Sequence, residues 1–151
     1  MRAARIPSGR AAACRPRLRR GAVPALALAI MAVPALALEP LEKEAHINDS
    51  LRAGRIGDVI RKNCPTIEAR MFTVWLKIEQ LKTYARQKGY TEPQVRAFLK
   101  DPAQRARIKA EADAWLAAQG AVPGDAESYC RIGRQEIARG TLLGSLMRDR
   151  S

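Results

Sequence analysis

One histidine, His46, stands in the whole chain, and that scarcity removes much chemistry at once. A metal centre needs several ligands at set spacing. No second imidazole exists to share an ion with His46, which reads as a solvated helix residue. No run of alternating Asp or Asn with a central Gly and a closing Glu is present, so a calcium loop is missing. Cys-x-x-Cys-His, the covalent haem motif, is missing too. So are a Gly-rich phosphate loop and a nucleophile elbow. The expectation is a protein with no cofactor, no metal and no catalytic constellation.

Period-2 alternation is equally scarce. No stretch alternates apolar and polar residues between hairpin turns, which leaves a sheet nothing to be built from. The fold class expected is all-α: a small bundle of about five helices in a single domain, residues 38–151.

Acidic residues are absent from positions 1–37, which hold seven arginines. Without that segment the formal charge of +12 becomes 20 basic against 15 acidic residues, an ordinary value for a small domain. A nucleic-acid partner is therefore not expected. The segment has the three parts of a secretory signal: the Arg-rich head, an uncharged centre from Gly21 to about Ala32, and a small-residue site at Ala35-Leu36-Ala37. Cleavage is expected between Ala37 and Leu38, giving a periplasmic or secreted chain with no stable membrane insertion. A retained anchor is the rival, because Gly21–Leu38 is 18 uncharged residues. Pro24 and Pro34 argue against it. Arg19-Arg20 lacks the bulky pair that the twin-arginine route prefers, and Cys14 lies upstream of the apolar centre, where a lipobox cannot be.

Three cysteines are few, and the predicted cut discards Cys14. Cys64 and Cys130 remain as an even pair, expected to form a disulfide in an oxidising compartment.

Five helical stretches are predicted in the rest. The first spans 39–62, with Pro40 in its first turn, Asn48-Asp49-Ser50 as a second candidate start, and Gly54 and Gly57 marking a break or a close crossing. The strongest signal is 66–88, where Ile67, Met71, Val74, Trp75, Ile78, Leu81 and Ala85 share one stripe. That stripe predicts core packing, from a start at Cys64-Pro65 to a stop at Gly89. Capping boxes at Thr91-Glu92-Pro93-Gln94 and Asp101-Pro102-Ala103-Gln104 open a short and a long helix. The short one is expected to bury Val95, Phe98 and Leu99, and the long one Ile108, Ala112, Trp115 and Leu116. Asp125 caps the last helix, which Gly140 ends or kinks.

The apolar end, Leu142, Leu143, Leu146 and Met147, needs a docking surface. Either it packs on the protein's own second helix, or it forms an interaction patch for an envelope partner or a second copy. Glu127-Ser128 is the only catalytic echo, a pair that also opens the active-site helix of lytic transglycosylases. The wider signature is missing, and Glu127 reads as a first-turn acid placed to pair with Arg131.

The stretch Asn63-Cys64-Pro65-Thr66-Ile67-Glu68-Ala69-Arg70-Met71-Phe72, the segment Gly89-Tyr90-Thr91-Glu92, and the run from Gly124 to Gly133 continuing through Gly140-Thr141-Leu142-Leu143-Gly144-Ser145-Leu146 resemble a family of small exported bacterial proteins, domain of unknown function family 5333. The resemblance covers the chain from about Leu41 onward. It implies export and the disulfide but no activity, substrate or partner. The leading functional expectation is thus a non-catalytic periplasmic binding or accessory protein acting through its helical surface. An envelope stress or chaperone-like protein is the alternative, which acids facing apolar surface would favour. A peptidoglycan-directed hydrolase built on Glu127 comes third.

Overall fold

The computed structural model describes residues 38–151, so the expected signal segment and its cut after Ala37 lie outside the described residues. Leu38 is the first residue described. From there the chain is all-α, with six helices and one two-stranded ladder.

Helix α1 runs from Ala45 to Asn63, not from residue 39. The cause is a turn over residues 41–43, closed by Lys43 N donating to Pro40 O and locked by a side chain further on. Asn48 is buried, and its Nδ2 donates to the carbonyls of Leu41 and Glu44, both at 2.8 Å. Asn48 therefore fastens the entry turn to the helix and starts nothing itself. Gly57 is buried against the tail, where a Cβ would meet Leu143 at 3.4 Å, an ordinary contact that does not itself require glycine. Neither Gly54 nor Gly57 breaks the helix.

The second predicted helix starts five residues later than expected. Residues Ile67–Ala69 form strand β1, paired antiparallel with Met147–Asp149, strand β2, in the register Ile67↔Asp149, Glu68↔Arg148 and Ala69↔Met147. Arg70 N donating to Leu146 O and Arg150 N donating to Thr66 O continue the ladder at either end. This tertiary pairing overrides the helical start that Pro65 offered. Helix α2 is Met71–Lys88, ended by Gly89 at φ 101°, the left-handed stop expected there.

Thr91 and Gln94 form the full capping box that opens α3, Glu92–Lys100. Asp101 caps α4, Pro102–Ala118, through the Ala103 amide at 2.8 Å, while Gln104 turns away to accept from Arg107. That second box is half formed. Asp125 caps α5, Ala126–Arg139, and Thr141 caps the short α6, Leu142–Ser145.

Two cores result. The larger gathers Ile56 and Ile60 of α1, Ile67, Ala112 and Leu116 of α4, Ile132 of α5, and Leu143, Leu146 and Met147. Inside it Cys64 and Cys130 are bonded, with Cα atoms 5.0 Å apart. Cys64 caps the end of α1 instead of opening α2, so the bridge ties α1 directly to the first turns of α5. The smaller core holds Leu41, Ile47, Ala85, Tyr90 and Phe98. Leu99, expected inside, is 42% exposed.

Candidate interaction surface

Helix α2 has the largest departure from expectation. Of its 18 residues only Ala85 is buried. Met71 is 69% exposed, Phe72 73%, Trp75 55% and Ile78 47%, and Leu76 is also open. The predicted stripe is real, and Ile67 and Ala85 at its two ends are core with Val74 and Leu81 half-buried against it, but Met71, Trp75 and Ile78 are not core. Phe72 and Trp75 stack at a centroid distance of 6.1 Å and make one continuous aromatic face over the first turn.

Clefts border that face. One of about 360 Å³ lies between α1, α2 and α6, lined by Leu51, Val74, Ile78, Leu81, Leu142 and Leu146. Another of about 740 Å³ runs past Gly57, Ile67, Met71, Val74 and Met147. They share Gly54, Val74 and Leu146, so the amino-terminal half of α2 stands off α1 along its length.

The apolar tail sits largely inside. Leu143, Leu146 and Met147 are buried, and only Leu142 is open, at the edge of the smaller cleft. The tail therefore does not form the contiguous exposed patch. Its docking partners are α1 and α5, not the second helix: Leu143 and Met147 sit on Gly57, and Gly144 lies against the backbone of Glu136.

Glu127 is exposed and ion-paired with Arg134. The expected partner, Arg131, instead donates to the carbonyls of Gln119 and Gly120. This solvated, ion-paired position offers the hydrolase reading no support. His46 is exposed, with its ring edge-on to Tyr84 at 4.4 Å. Among the described residues, no group of three or more His, Cys, Asp or Glu side chains could hold a metal ion. Nor is any helix among them long and apolar enough to cross a membrane.

Two acids that sequence reasoning missed are buried. Glu44 accepts from the Tyr84 hydroxyl at 2.6 Å, and that bond to a carboxylate pushes the Tyr84 phenol up. Lys88 lies 5.4 Å above the same ring, and its bond to Tyr84 raises the ammonium in turn. Glu136 accepts from Thr141 at 2.7 Å and from Arg139 at 2.8 Å. The Arg139 spacing was visible in sequence, but the burial arises only when α6 folds back on α5. Glu68 bonds to Arg150 and Arg148, which together hold its carboxyl below the usual range.

The chain belongs to the family of unknown function DUF5333, whose model matches residues 39–148. No curated protein and no solved structure matches it.

Proposed function

We propose that this chain is a non-catalytic binding or accessory protein of the cell envelope, exported by its amino-terminal segment, and that it works by presenting α2 to a protein partner. The observation that carries the reading is the open face of Met71, Phe72, Trp75, Leu76 and Ile78 on a helix with one buried residue. A bonded Cys64–Cys130 pair supports an oxidising compartment, where such bridges persist. A protein suits this face better than a lipid surface. Glu79 lies four residues after Trp75 and seven after Phe72, which places its carboxylate among the apolar side chains. It bonds to Lys82 at 2.8 Å, a charged pair that a partner's rim can accommodate and a hydrocarbon layer cannot. The bordering clefts also offer seats for a partner's side chains.

The test is a photoreactive residue at position 76 in living cells, with and without Phe72→Ser plus Trp75→Ser. One discrete protein adduct, lost in the double variant, supports the reading. Adducts to lipid alone, or adducts that survive the double variant, overturn it. Sedimentation of the purified protein shows whether that partner is a second copy.

The chaperone-like reading draws on one observation, the buried carboxylates Glu44 and Glu136, each hydrogen-bonded across elements. Under that reading the purified protein keeps an aggregating client protein in solution, and aggregation at the same rate with and without it overturns the reading.

A further inference from the structure

We propose that a second site, the cleft between α2, α3 and α4, binds one anionic amphiphile, with its apolar chain on the cleft floor and its head group among the cations at the rim. The cleft has a volume of about 390 Å³, within the range of pockets that take a single small molecule. Apart from Lys82, whose partner Glu79 lies on the α2 face, its lining is separate from that face, and the proposal does not depend on that reading.

Carbon makes the floor. Ala85 and Tyr90 are buried at its base, Val95 is half-buried, and Leu99 stands open at its side. Tyr90 offers no free polar atom there, because its hydroxyl donates to the Glu39 carbonyl at 2.6 Å. A small inorganic anion would find nothing on this floor to bond to. An alkyl chain would displace water from it.

The rim carries the opposite chemistry. Lys82 and Arg86 come from α2, Arg96 and Lys100 from α3, and Arg105 from α4, against one acid, Glu92. Lys82 is committed to Glu79 and Arg96 to Glu92. Arg86, Lys100 and Arg105 have no carboxylate within 4.0 Å among the described residues. Arg105 is held in place by its Nε donating to Leu99 O at 2.8 Å, which fixes one guanidinium beside the apolar wall. Three uncompensated cations from three helices therefore converge on one apolar slot. Like charges gathered this way repel one another, and an anionic head group relieves that repulsion. Guanidinium groups match a phosphate or carboxylate head in geometry as well as in charge.

A peptide would need an extended groove, and a membrane would need an apolar bulge beside the cations. This surface is a slot with its cations outermost. Leu99 and Arg105 also line a neighbouring cleft of about 400 Å³ past Ile108, which gives a longer chain room to continue.

The experiment is calorimetric titration of the purified protein with dodecyl phosphate below its micelle-forming concentration. One molecule is expected per chain, with affinity falling at least tenfold between about 50 and 500 mM salt. Arg86→Gln with Lys100→Gln should weaken it at least tenfold, and so should Leu99→Glu, which sets a carboxylate against the tail. These positions are exposed, and an unchanged melting curve shows that the fold persists. Trp75→Ser should bind as the wild type does. Dodecyl maltoside, with the chain but no charge, and inorganic phosphate, with the charge but no chain, should each bind at least tenfold more weakly. Equal binding of the maltoside, or unchanged binding in both variants, overturns the proposal. Uptake by phosphatidylglycerol vesicles with no binding of the monomer overturns it in favour of a membrane surface. Tighter binding of polyglutamate at the same residues overturns it in favour of an acidic peptide.

Discussion

Replacing Gly144 by alanine tests the packing that holds the carboxyl-terminal end. A Cβ built at Gly144 lies 2.0 Å from the carbonyl oxygen of Glu136, 2.4 Å from its carbon and 2.7 Å from the Ile137 nitrogen. All three are backbone atoms of α5 and cannot rotate aside. Helix α6 must therefore lift. Lifting it withdraws Leu143, which is 5% exposed, and loosens the bond from Thr141 that satisfies buried Glu136. Overpacking against a rigid wall costs about 1–3 kcal/mol. Losing most of the burial of one leucine adds on the order of 1.5–3 kcal/mol. The expected loss is about 3 kcal/mol or more, a fall in melting temperature of roughly 10 °C or more for a domain of this size. Urea unfolding followed by circular dichroism measures it. A loss below about 1 kcal/mol would show that α6 is not seated on α5 as described, and the tail would return as a candidate free patch.

Gly133→Ala should cost less, about 1–2 kcal/mol, because its 2.1 Å clash is with Ile67 Cδ1, the far end of a flexible side chain. Gly54→Ala meets nothing within 4 Å and should raise stability by about 0.5–1 kcal/mol, so a loss there would refute the open groove beside α1. Replacing Cys64 and Cys130 by serine should remove about 4 kcal/mol, given their separation of 66 residues, with dithiothreitol lowering the wild type to match. Glu68 gives a pH test. Its carboxyl is held low first by Arg150 and then by Arg148, so the stability it contributes is complete above its unfolded pKa of about 4.3 and is lost as pH falls through the lower folded value. Glu68→Gln should flatten that acid limb, and profiles that superimpose below pH 4 would show that the two arginines do not hold it.

Local signals were legible and tertiary ones were not. The box at Thr91 and Gln94 and the stop at Gly89 depend on residues a few positions apart, and both formed as expected. The start of α1 depends on a side chain seven residues away, Asn48 reaching back to Leu41, and no cap pattern announces that. Strands of three residues are too short to show alternation, so β1 was taken into the helix it precedes. The cationic cleft is least legible of all. Its cations are spread from Lys82 to Arg105 across three helices, each an ordinary solvated residue in its own helix, and only the packing of α3 between α2 and α4 brings them together.

The stripe on α2 shows why periodicity settles an element but not its neighbours. Spacing from Met71 to Ala85 specifies a helix with an apolar face, and the helix formed. What covers such a face depends on which other apolar residues remain available. Here Leu143, Leu146 and Met147 are drawn onto α1 and α5, because β2 pairs with β1, the tail packs on Gly57, and the close approach at Gly144 seats α6 on α5. The carboxyl end of α2 still joins the smaller core through Ala85, but at its amino end only Val74 leans on the larger core and the rest of the face is left open. If that is a working surface, its residues contribute little to the fold, since exposed substitutions usually change stability by no more than about 0.5 kcal/mol. Phe72→Ser with Trp75→Ser should then melt with the wild type while losing its protein adduct. A drop of several kcal/mol instead would mean that α2 is covered after all, and that the stripe is core, as its spacing first implied.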